Sequence, residues 1–194
     1  FDLADKVDNV MEESLTYAFD EKFGYLTACP TNVGTGLRAS VMMHLPALVM
    51  TGNITRVLQS FSGVGIAVRG LYGEGTDAEG ALYQISNSVT LGLSETEIIE
   101  KLKTVVERIS EMEKQAREYL MKNRADDLKD KLMRSYGILK YAVKITSKEA
   151  KNKLSEVMLA QNMGIIESDG KMTPLELIVK TAPSVISGED SLTP

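Results

Sequence analysis

Apolar residues return at helical spacing near both ends of the chain and crowd into short runs in its middle. Leu3, Val7, Val10, Met11, Leu15 and Ala18, with Asp and Glu between them, predict an amphipathic helix that packs one face. Its expected end is near Phe23 and Gly24, where glycine can take the left-handed cap. Residues 25–28 are short and β-prone, and 29–36, punctuated by Pro30, Asn32, Gly34 and Gly36, read as a loop. Residues 37–45 read as a strand buried on both faces. The stretch 48–61, with Val49, Ile54, Val57, Leu58 and Phe61, suits a short helix that Gly63 and Gly65 break. A strand over 65–69, a loop over 70–80 with four glycines and three acids, and a strand over 81–86 follow, with turn chemistry at Asn87 and Ser88. Strand, helix, strand, loop and strand in that order suggest an α/β layer.

The helical period then takes over. Ser94 with Glu97 three residues on is a capping box. Ile98, Leu102, Val105, Val106, Ile109, Met112, Ala116, Tyr119 and Leu120 mark one face of a long helix. The polar run 123–131 shifts the composition and marks a seam near 122–126. Three further helices are expected at 128–141, 147–161 (opened by Ser147 with Ala150, closed by Gly164) and 174–180. There is no internal repeat and no low-complexity segment.

Composition narrows the class. With 194 residues, 43% hydrophobic and 25% charged, the chain is long enough for one domain or two small ones with a real core. A net charge of −5 without a basic block argues against nucleic acid. One cysteine excludes an internal disulfide and suits a reducing cytoplasm. No apolar run approaches the ~20 residues that span a bilayer, and the acidic N-terminus is unlike a signal peptide. Both ends read as cut, so the chain is expected to be an internal piece of a longer protein.

Chemistry concentrates in two blocks. The first, CPTNVGTGLRAS, begins at Cys29; the second, VRGLYGEGTDAEGALYQISN, spans 68–87. Together they resemble the ATP:guanidino phosphotransferases, the phosphagen kinase family. The resemblance implies an α+β fold, a largely antiparallel sheet flanked by helices, with residues 1–124 as the C-terminal part of a guanidino kinase catalytic domain and 125–194 as a small, truncated helical module. It also implies phosphoryl transfer from Mg-ATP to a guanidinium group.

A free cysteine more often just packs. The resemblance makes Cys29 an active-site thiolate set against the positive guanidinium, without a covalent intermediate, and makes Thr31 the hydroxyl that hydrogen-bonds its sulfur. Arg38 and Arg69 are flanked by apolar residues on expected strands, where a charge is costly without a strong partner. Phosphate is such a partner for a bidentate guanidinium. The resemblance places the nucleotide against Arg38, Ala39, Ser40, Val41 and Met42, and against Arg69, Gly70, Leu71, Tyr72, Gly73 and Glu74. Glu74 is also implied to orient the acceptor and take its proton, in a segment whose four glycines would allow a lid. Asp77 and Glu79 rank as loop and hinge residues. Without a GKS/T sequence there is no Walker loop. No protein metal site is expected, Mg²⁺ being held through the nucleotide phosphates. The family's nucleotide-side histidine falls at Met42. His44, two positions on and on the same strand face, either stands in part for it or is an ordinary packed or surface histidine.

Within the family, TACPTNVGTGLRAS and the trailing helices look like the bacterial branch that phosphorylates arginine side chains in proteins. That branch implies arginine-bearing protein substrates, an activator protein, a Clp protease system and a cytoplasmic stress response. A small-guanidino kinase and a non-catalytic interaction module remain the alternatives. The family's upstream S-x-R-x-R arginines, the carboxylate that partners Glu74 and the R-D-x-x-R-A motif are not in this sequence. The chain alone is therefore expected to be inactive, with an open sheet edge that favours self-association.

Overall fold

A computed structural model describes residues 1–70, 78–167 and 173–180. Helix α1 (Asp2–Glu12) is followed by a two-stranded ribbon, β1 (Phe19–Asp20) with β2 (Gly24–Tyr25). A second, antiparallel sheet has the order β3-β5-β4, built from β3 (Ser40–His44), β4 (Ile66–Gly70) and the central β5 (Leu82–Asn87). Helices α2 (Pro46–Met50) and α3 (Ile54–Ser62) lie between β3 and β4. Helices α4 (Glu95–Asn123), α5 (Ala125–Tyr141), α6 (Ser147–Asn162) and α7 (Pro174–Lys180) complete the described chain. The architecture is α+β with an antiparallel sheet.

One core joins the sheet to the long helix. Met43, Tyr83, Ile85 and Ile66 share the sheet face packed against Leu102, Val105 and Ile109 of α4, with Leu48, Leu58 and Phe61 closing the side. The Ser94 and Glu97 capping box is present and starts α4. Its lower end, Ala116 and Leu120, meets Leu128 and Leu132 of α5 and Leu159 of α6. Leu82 of β5 packs separately with Leu154 and Ile178.

A buried carboxylate fixes the angle between α2 and α4. Glu113, 3% exposed, accepts hydrogen bonds from the backbone N–H groups of Ala47 and Leu48, both at 3.0 Å. Pro46 opens α2 and has no N–H, so the acid satisfies the next two otherwise orphaned donors. Arg117 neutralises it at 2.9 Å.

Several expectations are corrected. The first helix stops at Glu12 rather than near Gly24 and has no buried residue; Leu3, Val7 and Val10 are exposed. Residues 18–26 form the ribbon instead, where Ala18 accepts from the Leu26 N–H at 2.7 Å. The strand expected over 37–45 is only Ser40–His44 and is not buried on both faces, because β3 lies at the sheet edge among the described strands and Met42 is 52% exposed. The helix expected over 48–61 is two, separated at Gly52, whose φ of +71° leaves the helical region. Thr146, not Ser147, caps α6, accepting from the Glu149 N–H at 3.2 Å.

Candidate active site

The Cys29 loop is locked to the strand it precedes. A short 3₁₀ turn, Pro30–Asn32, follows the cysteine, whose carbonyl accepts from the Thr27 hydroxyl at 2.6 Å and the Asn32 N–H at 2.9 Å. Tyr25 and Gly34 exchange backbone hydrogen bonds at 2.8 and 3.2 Å. Gly34 takes φ +112°, and a Cβ there would stand 2.3 Å from the Thr90 carbonyl oxygen, so a larger residue does not fit without moving backbone.

Two buried polar residues that sequence reasoning missed fasten this loop. The Asn87 amide oxygen accepts from the Ala39 N–H at 2.8 Å, and its amide nitrogen donates to the Leu37 carbonyl at 3.0 Å. It thus continues the ladder between β3 and β5 past their last backbone pair. The Thr90 hydroxyl reaches the carbonyls of Thr31 at 3.0 Å and Val33 at 2.8 Å. The sequence offers only a turn signal at Asn87 and nothing at Thr90, because their partners lie about 50 residues upstream.

At the tip, the exposed Cys29 sulfur lies 3.0 Å from the Thr31 hydroxyl. That hydroxyl and then the Thr31 backbone N–H lower the thiol pKa; desolvation opposes them, and the charge of Arg38 adds a lowering smaller than that opposition. Cys29 and Thr31 thus form one hydrogen-bonded pair, on which Arg38 acts only weakly through its charge.

The arginines do not sit as their sequence context suggests. Arg38 precedes β3 rather than lying in it, Arg69 is in β4, and both are exposed, so burial does not demand a partner for either. Among the described residues no carboxylate pairs with them within 4.0 Å. Register aligns Met42, Gln84 and Arg69 across the sheet, and Ser40, Ser86 and Ala67 in the next row of that face. Ala39 packs against the core, and Val41 lies on that same core face in a row with Ile85 and Val68. Gly70 pairs with Tyr83. Leu71, Tyr72, Gly73, Glu74 and Asp77 lie outside the described residues.

His44 is a packed side chain. Its Nε2 lies 2.8 Å from the Ser155 hydroxyl of α6, and its Nδ1 is buried without a partner among the described residues. Burial, then the Arg117 charge, lowers its pKa to about 3, so the ring is neutral near pH 7. Glu79 is ion-paired with Lys151 of α6 at 2.9 Å. No group of three or more His, Cys, Asp or Glu among the described residues could hold a metal ion, and no described helix is long and apolar enough to cross a membrane.

A thiol tuned toward its anion by a hydroxyl two residues on, in the loop that leads into an antiparallel sheet, is the setting in which the comparisons with known proteins fall. Residues 1–116 match the family described as ATP:guanido phosphotransferase, C-terminal catalytic domain, and the chain belongs to that family. Residues 125–191 match a narrower one, described as Protein-arginine kinase McsB C-terminal domain. The chain is 52% identical over 186 residues to the protein-arginine kinase of Brevibacillus brevis, covering 96% of this chain and 52% of that protein. It is 52% identical over 181 residues to the protein-arginine kinase of Clostridium acetobutylicum, covering 93% and 53%. The chain thus spans about half the length of these curated relatives. Its fold resembles the substrate-free duplicated taurocyamine kinase of Schistosoma mansoni, with a TM-score of 0.51 and 24% identity over 87% of this chain and 30% of that one.

Proposed function

We propose that the protein transfers the γ-phosphoryl group of Mg-ATP to the guanidinium of arginine side chains in proteins. The observation that carries this is the Cys29 and Thr31 pair: a thiol whose pKa is lowered by a hydroxyl 3.0 Å away, with the charge of Arg38 as the least of the causes. The thiolate attracts an acceptor guanidinium and forms no bond to it. Arg38, exposed just before β3, and Arg69, exposed in β4, suit the charged oxygens of a triphosphate. They stabilise the transferring phosphoryl group while the acceptor nitrogen forms its bond to phosphorus and the bond to the ADP oxygen breaks. Ser40 and Met42, on the same face as Gln84, border the nucleotide. Glu74 takes the proton that the guanidinium loses. ATP is the phosphoryl donor and a substrate, and Mg²⁺ is held through its phosphates.

A protein acceptor is supported by the names of the relatives and by the match over residues 125–191. Residues 1–124 are the catalytic part in this reading and 125–194 a helical module. An activator protein, a Clp protease system, self-association and a cytoplasmic setting belong to the same proposal. It concerns the whole protein, of which residues 1–194 alone are expected to be inactive. The test is full-length protein with ATP and either an unfolded protein or free arginine. Phosphoarginine on the protein is expected; preferred turnover of free arginine overturns the choice of acceptor, and no transfer to either overturns the reaction.

A further inference from the structure

Helix α6 makes four contacts from one side, two with the turn that leads into β5 and two with strand ends of the sheet. Lys151 Nζ meets Glu79 Oε2 at 2.9 Å, with side chains only 8% and 21% exposed. The Asn152 amide oxygen accepts from the Gly80 N–H at 2.9 Å. Ser155 holds His44 at the end of β3, and Leu154 packs on Leu82 at the start of β5. Positions 151, 152, 154 and 155 lie within one turn of the helix, so a single rigid surface makes all these contacts.

The gripped segment is strained. Gly80 takes φ +69° and Ala81 φ +52°, and Ala81 is the one non-glycine residue at positive φ among those described. A Cβ on Gly80 would stand 3.2 Å from the Lys151 carbonyl, so the helix backbone lies directly against it. Such backbone persists only where its surroundings hold it. The chain leaves this segment straight into β5, the central strand, whose Gln84 is aligned with both Met42 and Arg69. The Ala81 carbonyl also accepts from the Leu45 N–H at 2.9 Å, at the end of β3.

From this placement we infer that Lys151 and Asn152 are positioning residues for phosphoryl transfer: through Glu79 and Gly80, α6 sets the entry and the phase of β5, and with it the row of Met42, Gln84 and Arg69 across the sheet. The helical module is then part of the catalytic geometry, beyond any role in recognising proteins. The inference rests on the reaction proposed above. An ion pair of folding value alone would affect stability; a positioning pair affects turnover in protein that is fully folded. A misplacement on the order of 1 Å can cost up to about a hundredfold in rate.

The experiment uses full-length protein with ATP and an unfolded protein acceptor, measuring kcat, KM, Mg-ADP affinity and thermal midpoint. Glu79→Gln and Lys151→Gln are expected to lower kcat about 10- to 100-fold with Mg-ADP affinity within about twofold. The double variant should be no slower than the worse single one, since both break the same contact. Lys151→Arg should restore most of the rate. Should Lys151→Gln not fold, the exposed Asn152→Ala carries the test and should lower kcat severalfold with an unchanged thermal midpoint. Wild-type kcat in folded Glu79→Gln and Asn152→Ala overturns the inference, as does a loss of rate fully matched by loss of folded protein. Wild-type protein that transfers nothing overturns the reaction itself and this inference with it.

Discussion

The Cys29 sulfur and the Thr31 hydroxyl oxygen stand 3.0 Å apart at the exposed tip of the loop, and this contact is the first cause of the lowered thiol pKa. Thr31→Val removes the hydroxyl, so the thiol pKa should rise and the thiolate fraction near pH 7 should fall. Alkylation of Cys29 by iodoacetamide as a function of pH measures this. The midpoint should move to higher pH, and an unmoved midpoint contradicts the assigned cause. Cys29→Ser in the full-length protein should cut phosphorylation and leave folding intact, as followed by turnover and circular dichroism.

Arg38→Ala and Arg69→Ala should each weaken Mg-ADP binding about tenfold to a hundredfold, the usual worth of a charge-assisted hydrogen bond. Glu74→Ala should mainly slow transfer, with a smaller effect on binding. Calorimetric titration of the full-length variants separates the two, and unchanged affinity in both arginine variants contradicts a phosphate role.

Glu113→Ala should destabilise the protein by about 2–4 kcal/mol, because it strands two buried backbone N–H groups and leaves Arg117 unpaired. Glu113→Gln keeps an acceptor oxygen and should cost less. Urea midpoints of the two variants give the order; equal midpoints with wild type would contradict the bridging role.

His44 gives stability a pH dependence. Its folded pKa, about 3, lies below the ordinary 6.5, so the unfolded chain binds the extra proton between those values. The contribution of the neutral ring is fully present above pH 6.5 and is lost as pH falls toward 3, at up to about 1.4 kcal/mol per pH unit. His44→Gln keeps a polar group able to hydrogen-bond Ser155 without titrating. Wild type should therefore lose stability relative to this variant between pH 7 and pH 5, read from urea midpoints at both. Parallel behaviour of the two proteins would remove His44 as the source.

What the sequence shows and hides follows from distance along the chain. The approach of Cys29 to Thr31 and the Ser94 capping box involve residues two or three apart, so local pattern carries them. The long face of α4 is equally plain from its apolar period. Glu113 is hidden in that same period, since an acid on an apolar face makes sense only once α2 arrives from 65 residues upstream. The edge position of β3 is hidden for a related reason: strand order is a property of the sheet, and the apolar run 39–45 looks like a central strand. Asn87 and Thr90 act on carbonyls and N–H groups, which carry no sequence signal at all.

Arg124 is the only residue between α4 and α5, and its φ of −143° and ψ of 37° set the turn between them. A helix advances about 100° and 1.5 Å per residue. One residue added after Arg124 would roll Leu128 and Leu132 about a quarter-turn from Ala116 and Leu120, whereas three or four would bring them nearly back into phase. The join between the two matched regions therefore counts in whole turns, and a length change there acts as a rotation of everything that follows.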